Sequence, residues 1–286
     1  MVPPHGSLRG VAKTALGVAM VRARESRRDD RLFDDPYAQA FVAAVPGAFP
    51  EEPKTEEQLA ALGPLASLGA VFYVHAVIRT RFFDDYLTAA TAAGCRQVVL
   101  LAAGLDTRAF RLAWPKDTRV FEVDLPGVLA FKDTVLAARN AVPSCERTTV
   151  PADLRGDWTA ALAEAGFDRT GPAAWLAEGL LLYLTAAEAG RLLTGVGELS
   201  APGSQLAFEH NPMASAPLTT QARRMPAMQE YTALWKGGLG DGAPAWLARH
   251  GWQPRFHQLA TLAASYRRPV SGQARGGFLT AIRARS

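Results

Sequence analysis

The chain has 286 residues, 49% hydrophobic and 20% charged, a composition that builds one sizeable core with room for an appended lid. Its net charge is +4, but the dense basic stretch from Arg22 to Arg31 is broken by Glu25, Asp29 and Asp30, which argues against nucleic acid as a partner. Cys95 and Cys145 lie far apart without metal-ligand spacing, no apolar run is long enough to span a membrane, and nothing resembles a signal peptide; the expectation is a cytoplasmic monomer or homodimer with free thiols, no metal and no membrane partner.

Residues 1–90 read as an N-terminal helical lid segment. Asp34-Asp35-Pro36-Tyr37 is a turn that starts a helix, with proline at an early position, and Pro46 to Pro53 is a loop. Val71, Val74, Ile78 and Phe82 recur at helical spacing toward Tyr86-Leu87. From residue 97 strands and helices alternate. Strands are predicted at 97–101, 118–123, 146–151, 172–178, 203–209 and 277–283, and helices at 106–112, 125–140, 156–166 and 185–198. That alternation predicts an α/β, Rossmann-like, doubly wound parallel sheet over residues 91–286. Residues 211–245 interrupt it, running from Asn211-Pro212 into the glycines of 237–242. Met225, Met228, Tyr231 and Trp235 roughly share one helix face there, as in a cap inserted before the last strands.

The stretch 98–124 carries the chemistry. Val98 to Leu101 is apolar and opens into the small-residue turn Ala102-Ala103-Gly104-Leu105-Asp106-Thr107; a second run, Arg119 to Asp124, ends in a carboxylate. A strand, a small-residue turn, a helix and a strand with a terminal acid make a nucleotide-binding βαβ half, so an adenosine-containing cofactor is expected. Gly104 would let that cofactor approach the backbone, or would simply make the turn. Asp106 is counted with the cofactor residues, although it could do no more than cap the following helix. Asp124 suits two vicinal ribose hydroxyls; its alternative is a solvated strand end. Asp153 and Leu154 follow the third strand, where such folds flank adenine, and Asp153 alone would be a helix cap. Glu178 ends an apolar strand, and an unpaired acid there costs on the order of several kcal/mol to bury. It should face a cationic or hydrogen-bonding ligand, or the pocket mouth. Arg79, near Arg81, is either a solvated face or a bidentate carboxylate clamp. His210, just after the strand at 203–209, is the candidate catalytic base; His250, before Gly251, reads as a helix-end cap.

Taken in order, Val77-Ile78-Arg79-Thr80-Arg81-Phe82-Phe83-Asp84-Asp85, Leu101 to Leu112, Phe121-Glu122-Val123-Asp124-Leu125-Pro126, Pro151-Ala152-Asp153-Leu154-Arg155 and Ala177-Glu178-Gly179-Leu180 resemble the class I S-adenosylmethionine-dependent methyltransferases. More narrowly they resemble the leucine carboxyl methyltransferase-like branch, with its bacterial natural-product O-methyltransferases. The match is loose over Arg24 to Asp35, fades through 211–245 and recovers weakly at His250-Gly251-Trp252; Ala102 stands where the family usually has glycine. The resemblance implies S-adenosyl-L-methionine as cofactor. Arg79 would hold its methionine carboxylate, Gly104 would lie under the methionine moiety, Asp124 would take the ribose, Asp153 and Leu154 the adenine, and Glu178 the amino-acid end near the sulfonium. It also implies a last strand that runs antiparallel, and O-methylation of a small-molecule carboxylate or hydroxyl, the carboxylate placed first, on a natural-product or polyketide intermediate. Acceptor contacts would come from residues 1–50 and 211–245. Two other readings stay open: a nicotinamide-dinucleotide oxidoreductase, which would want a complete Gly-x-Gly-x-x-Gly, and a cofactor-binding protein without chemistry.

Overall fold

Seven strands form one sheet: β1 (Gln97–Leu101), β2 (Arg119–Asp124), β3 (Glu146–Pro151), β4 (Ala173–Ala177), β5 (Gln205–His210), β6 (Trp252–Gln258) and β7 (Gly277–Arg283). The computed structural model describes residues 11–48, 55, 63–210, 223–225, 228–268 and 276–284. The strand order is β3-β2-β1-β4-β5-β7-β6. Neighbours from β3 through β5 are parallel, while β7 runs antiparallel to both β5 and β6. The chain winds outward from β1 to β3, then returns to β4 on the other side of β1. That reversal opens a crevice at the carboxyl ends of β1 and β4, the place where open α/β sheets bind ligands.

β1 and β4 are buried along their whole length, which is why both read as continuous apolar runs rather than alternating ones. One face of the sheet is covered by α6 (Trp158–Glu164) and α7 (Ala186–Glu198), whose Trp158, Leu162, Leu192 and Val196 pack around Trp175. Thr185 and Glu188 start α7 with a reciprocal capping box. The other face is covered by α3 (Pro64–Ala92) through Ile78, Phe83, Leu87 and Ala90. Further helices are α1 (Val11–Ser26), α2 (Ala38–Ala43), α4 (Arg108–Arg111), α5 (Pro126–Ala137), α8 (Gln229–Thr232), α9 (Ala243–Arg249) and α10 (Leu259–Ser265). Leu16 of α1, Phe41 of α2 and Phe131 of α5 meet over Leu105, so α1 lies against the turn that follows β1. No described helix is long and apolar enough to cross a membrane.

Three expectations are corrected. The alternation predicts a parallel sheet, whereas β7 runs antiparallel, as the family resemblance implies, and β6 is a strand that the hydrophobic pattern does not announce. Among the described residues it pairs only with β7, and four of its seven residues are exposed. Pro254 is tolerated because one side of an edge strand needs no ladder donor. The helix expected at 106–112 is the single turn α4; Asp106 Oδ1 accepts from the Arg108 amide at 2.7 Å, and Leu112 is already extended. The shared helix face at 225–235 is absent from the described residues, because α8 spans four residues and Met225 and Trp235 fall outside it. Residues 211–222 and the Tyr231 side chain lie outside the described residues.

Candidate functional site

The turn after β1 is built on left-handed backbone. Gly104 has φ +48° and Ala102 φ +54°; glycine takes that conformation freely, whereas for an alanine it costs about 1–2 kcal/mol. The turn brings the Gly104 amide to Asp124 Oδ2 at 2.6 Å, and the Leu125 amide donates to Oδ1 at 2.7 Å. Each carboxylate oxygen keeps a lone pair for a ligand hydroxyl. Burial raises the Asp124 pKa above its ordinary value, and the two amides oppose that rise. Asp124 makes no ion pair among the described residues.

Glu178, just past β4, takes three arginines. Arg22 Nη2 of α1 donates to Oε1 at 3.1 Å, Arg79 Nε of α3 to the same oxygen at 2.9 Å, and Arg108 Nη1 of α4 to Oε2 at 2.7 Å. Arg79 Nη1 also reaches Glu209 Oε1 at 3.0 Å, and Glu209 Oε2 accepts from the Gly179 amide at 2.6 Å. Arg108 binds Asp84 at 2.6 Å through Nε and Asp106 Oδ2 through Nη1, and Arg111 holds both Asp84 oxygens at 2.7 Å. Four guanidiniums and four carboxylates thus alternate beneath the carboxyl edge of the sheet. Burial alone would raise Glu178, but Arg108, Arg79 and Arg22 hold it well below the carboxylate range. Burial would lower Arg79 and Arg108, and their carboxylates overcompensate, so both rise. Asp106, which burial would raise, is held low by Arg108 and Arg22.

The structure brings Arg79, Gly104, Asp106, Asp124 and Glu178 to one edge. Asp106 faces Arg108 rather than the crevice. Asp153 lies at the end of β3, where its carboxylate is held by Arg155 Nη2 at 2.6 Å, and that hydrogen bond lowers it. Leu154 packs partly buried on the core, and Leu125, 46% exposed, offers apolar surface at the end of β2. His210 ends β5 edge-on to Phe256, with ring centroids 5.5 Å apart. It lines a cavity between the turn at Leu181-Leu182 and the glycines 237–240, with Phe208, Glu209 and Leu239. The loop is held there because the Lys236 and Gly237 amides donate to Leu182 O at 2.8 and 3.1 Å, and Gly238 to Leu184 O at 2.9 Å. Arg22, Asp84, Arg108 and Glu209 were missed from sequence. Glu209 had a local signal, since strand alternation puts it on the opposite face from His210, toward α3. His250 caps α9 as expected. No group of three or more potential metal ligands occurs among the described residues.

A sheet of this order, with a carboxylate ending β2, another just past β3 and an arginine-held acid just past β4, is of Rossmann-like fold, and its relatives make it an S-adenosylmethionine-dependent methyltransferase. The model of the leucine carboxyl methyltransferase family matches residues 15–197. A relative from Parafrankia sp. is 52% identical over 277 residues, covering 96% of this chain and 88% of its own. One from Streptomyces coelicolor is 45% identical over 279 residues, covering 96% of both. Both are provisionally named S-adenosyl-L-methionine-dependent methyltransferases. A solved structure of a DUF574 family protein from Streptomyces avermitilis shares the fold, with a TM-score of 0.56, 18% identity, and coverage of 90% of this chain and 97% of that one. The chain belongs to the leucine carboxyl methyltransferase family, and its cofactor is S-adenosyl-L-methionine. The donor set fits that cofactor: a carboxylate with two outward lone pairs for a ribose, a turn without side-chain bulk at Gly104, and a buried guanidinium in Arg79, whose Nη2 makes no hydrogen bond among the described residues.

Proposed function

We propose that the protein is a small-molecule O-methyltransferase, that its acceptors are natural-product intermediates, polyketides among them, and that the methylated oxygen is a hydroxyl deprotonated by His210. The carrying observation is the His210 cavity. Among the described residues its lining is apolar apart from His210 and Glu209 and contains no cation. Burial lowers the His210 pKa, with Asp241 opposing, so the imidazole is neutral at pH 7 and able to accept a proton. Bound S-adenosylmethionine supplies a methyl group activated on a sulfonium. Asp124 takes the ribose hydroxyls, Asp153 and Leu154 the adenine, and Arg79 Nη2 the methionine carboxylate over the Gly104 turn. Glu178 acts through Arg79, fixing its plane against Glu209, and Asp106 does the same for Arg108. The described helices within residues 1–90 act as a lid over this edge, anchored by Arg22, and the glycine loop at 237–240, within residues 211–245, caps the acceptor cavity. The acceptor hydroxyl gives its proton to His210, and water is excluded by the apolar lining.

The family model's description favours a second reading, a carboxylate acceptor, which is already ionised at neutral pH and needs positioning alone. Methyl transfer from labelled cofactor to a panel of phenols and matched carboxylic acids separates the two. With a hydroxyl acceptor, His210→Ala loses about a hundredfold or more in turnover, and the wild-type rate rises through a histidine titration. A carboxylic acid that is methylated with a flat profile from about pH 6 to 8, and within a few-fold in the variant, overturns the hydroxyl reading.

A further inference from the structure

Beneath Asp124 lies a second ionic cluster that the site so far does not use. Glu122 sits in the middle of β2 between Phe121 and Val123, fully buried, and Lys132 of α5 is equally buried. Lys132 Nζ is 2.9 Å from Glu122 Oε1, and Arg147 Nη2 of β3 is 2.6 Å from Glu122 Oε2 and 2.8 Å from Asp133. Burying such ions costs more than a well-packed apolar pair would, so stability alone does not account for them. Lys132 Nζ reaches Glu122 at ion-pair distance but outside hydrogen-bond geometry, which leaves its charge, rather than its donors, as what it contributes. Glu122 and Asp124 are two apart in one strand and therefore share a face. Asp124 is held by two neutral amides and by no cation of its own.

We propose that Lys132 is a positioning residue for the nucleoside site: its buried ammonium, held by Glu122, which Arg147 anchors in turn, is the counter-charge that keeps the Asp124 carboxylate ionised and ready to accept the ribose hydroxyls. The charged groups around Asp124 are Glu122 on its own strand, Lys132 and Asp133 on α5, Arg147, Asp153 and Arg155 on and after β3, and Asp106 in the turn after β1. Asp133 and Glu122 share Arg147, Asp153 is held by Arg155, and Asp106 by Arg108. Lys132 is the member whose charge favours the Asp124 anion, and Glu122 opposes it. Removing Lys132 leaves Glu122 with Arg147 as its one remaining cation and takes one positive charge from the face that Glu122 shares with Asp124, so the Asp124 carboxylate takes up a proton more readily.

The inference rests on the assignment of Asp124 to the ribose. Its test is calorimetry of S-adenosylhomocysteine with the full chain between pH 5 and 9, on wild type, Lys132→Met, Glu122→Gln, the Lys132→Met/Glu122→Leu double variant, and Asp124→Ala. Protonated Asp124 accepts poorly, so affinity rises with pH, and each pH unit by which its midpoint moves up weakens acid-side binding about tenfold. We expect the midpoint to move up in Lys132→Met, with weaker binding on its acid side and recovery above it, and the double variant to regain most of the loss because the repulsion is gone. Glu122→Gln, which keeps the cation and removes the anion, moves the midpoint down and serves where Lys132→Met does not fold. Unchanged affinity in Lys132→Met, or a loss equal at every pH and not restored in the double variant, overturns the proposal; so does a midpoint that stays put in Glu122→Gln. If Asp124→Ala itself binds as well as wild type, the ribose assignment is what fails.

Discussion

Replacing Glu178 with glutamine removes the anion shared by Arg22, Arg79 and Arg108. Taking one partner out of a buried ion pair costs about 3–5 kcal/mol. Glu209 still holds Arg79, and Asp84 and Asp106 still hold Arg108, so the expected loss at pH 7 is at the low end, about 3 kcal/mol. For a urea slope of about 3 kcal/mol per molar, the unfolding midpoint falls by about 1 M. The loss carries a pH signature. Burial opposes ionisation, yet the three arginines hold folded Glu178 well below the carboxylate range, whereas an unfolded glutamate titrates near about 4.3. A depressed carboxylate adds its full stability above the unfolded value and loses it as pH falls toward the folded one. The gap between wild type and Glu178→Gln is therefore constant from about pH 6 to 8, and narrows by about 1 kcal/mol between pH 4.5 and 3.5. Urea titrations followed by circular dichroism at these pH values measure it. A gap below about 1 kcal/mol at pH 7, or one undiminished at pH 3.5, refutes the reasoning.

Asp124→Ala should stay folded by circular dichroism and lose about 1.5–3 kcal/mol of S-adenosylhomocysteine affinity by calorimetry; an unchanged dissociation constant would move the nucleoside elsewhere. Ala102→Gly relieves a left-handed backbone worth about 1–2 kcal/mol and should melt no lower than wild type, so a clear drop in melting temperature would show that the methyl group packs usefully. Gly238→Ala would place a methyl carbon 2.8 Å from Leu181 O at φ +58°, prising the loop off the acceptor cavity; acceptor KM should rise while S-adenosylhomocysteine affinity stays within about twofold, and the reverse pattern would put that loop at the cofactor.

What was legible in the chain was whatever is decided locally. β1 and β4 show as apolar runs because both faces and both edges are covered. Asp124 is visible because a strand end and a following proline fix its place. β6 was not legible, since an edge strand facing water on one side carries Gln253, Arg255 and Gln258 and needs no apolar alternation. Arg108 was not legible either. An arginine on a short helix reads as solvated, and it is buried here because Asp84 comes from 24 residues before it and Glu178 from 70 after. Asp153 is the opposite case: it does follow β3, but the local pattern does not announce that Arg155, two residues on, occupies its carboxylate.

The ion pair between Arg22 and Glu178 also sets a schedule for synthesis. The partners are 156 residues apart, and the N-terminal one is made first. At about 5–20 residues per second, α1 waits about 8–30 s before the residue that receives its guanidinium exists. Until Pro126–Ala137 has been made, Leu16 and Ala19, buried in the finished fold, lack α5 to cover them, and until Glu178 has been made they lack the completed sheet edge. The Arg22 end of α1 is thus fastened to the sheet only after β4 has been laid down.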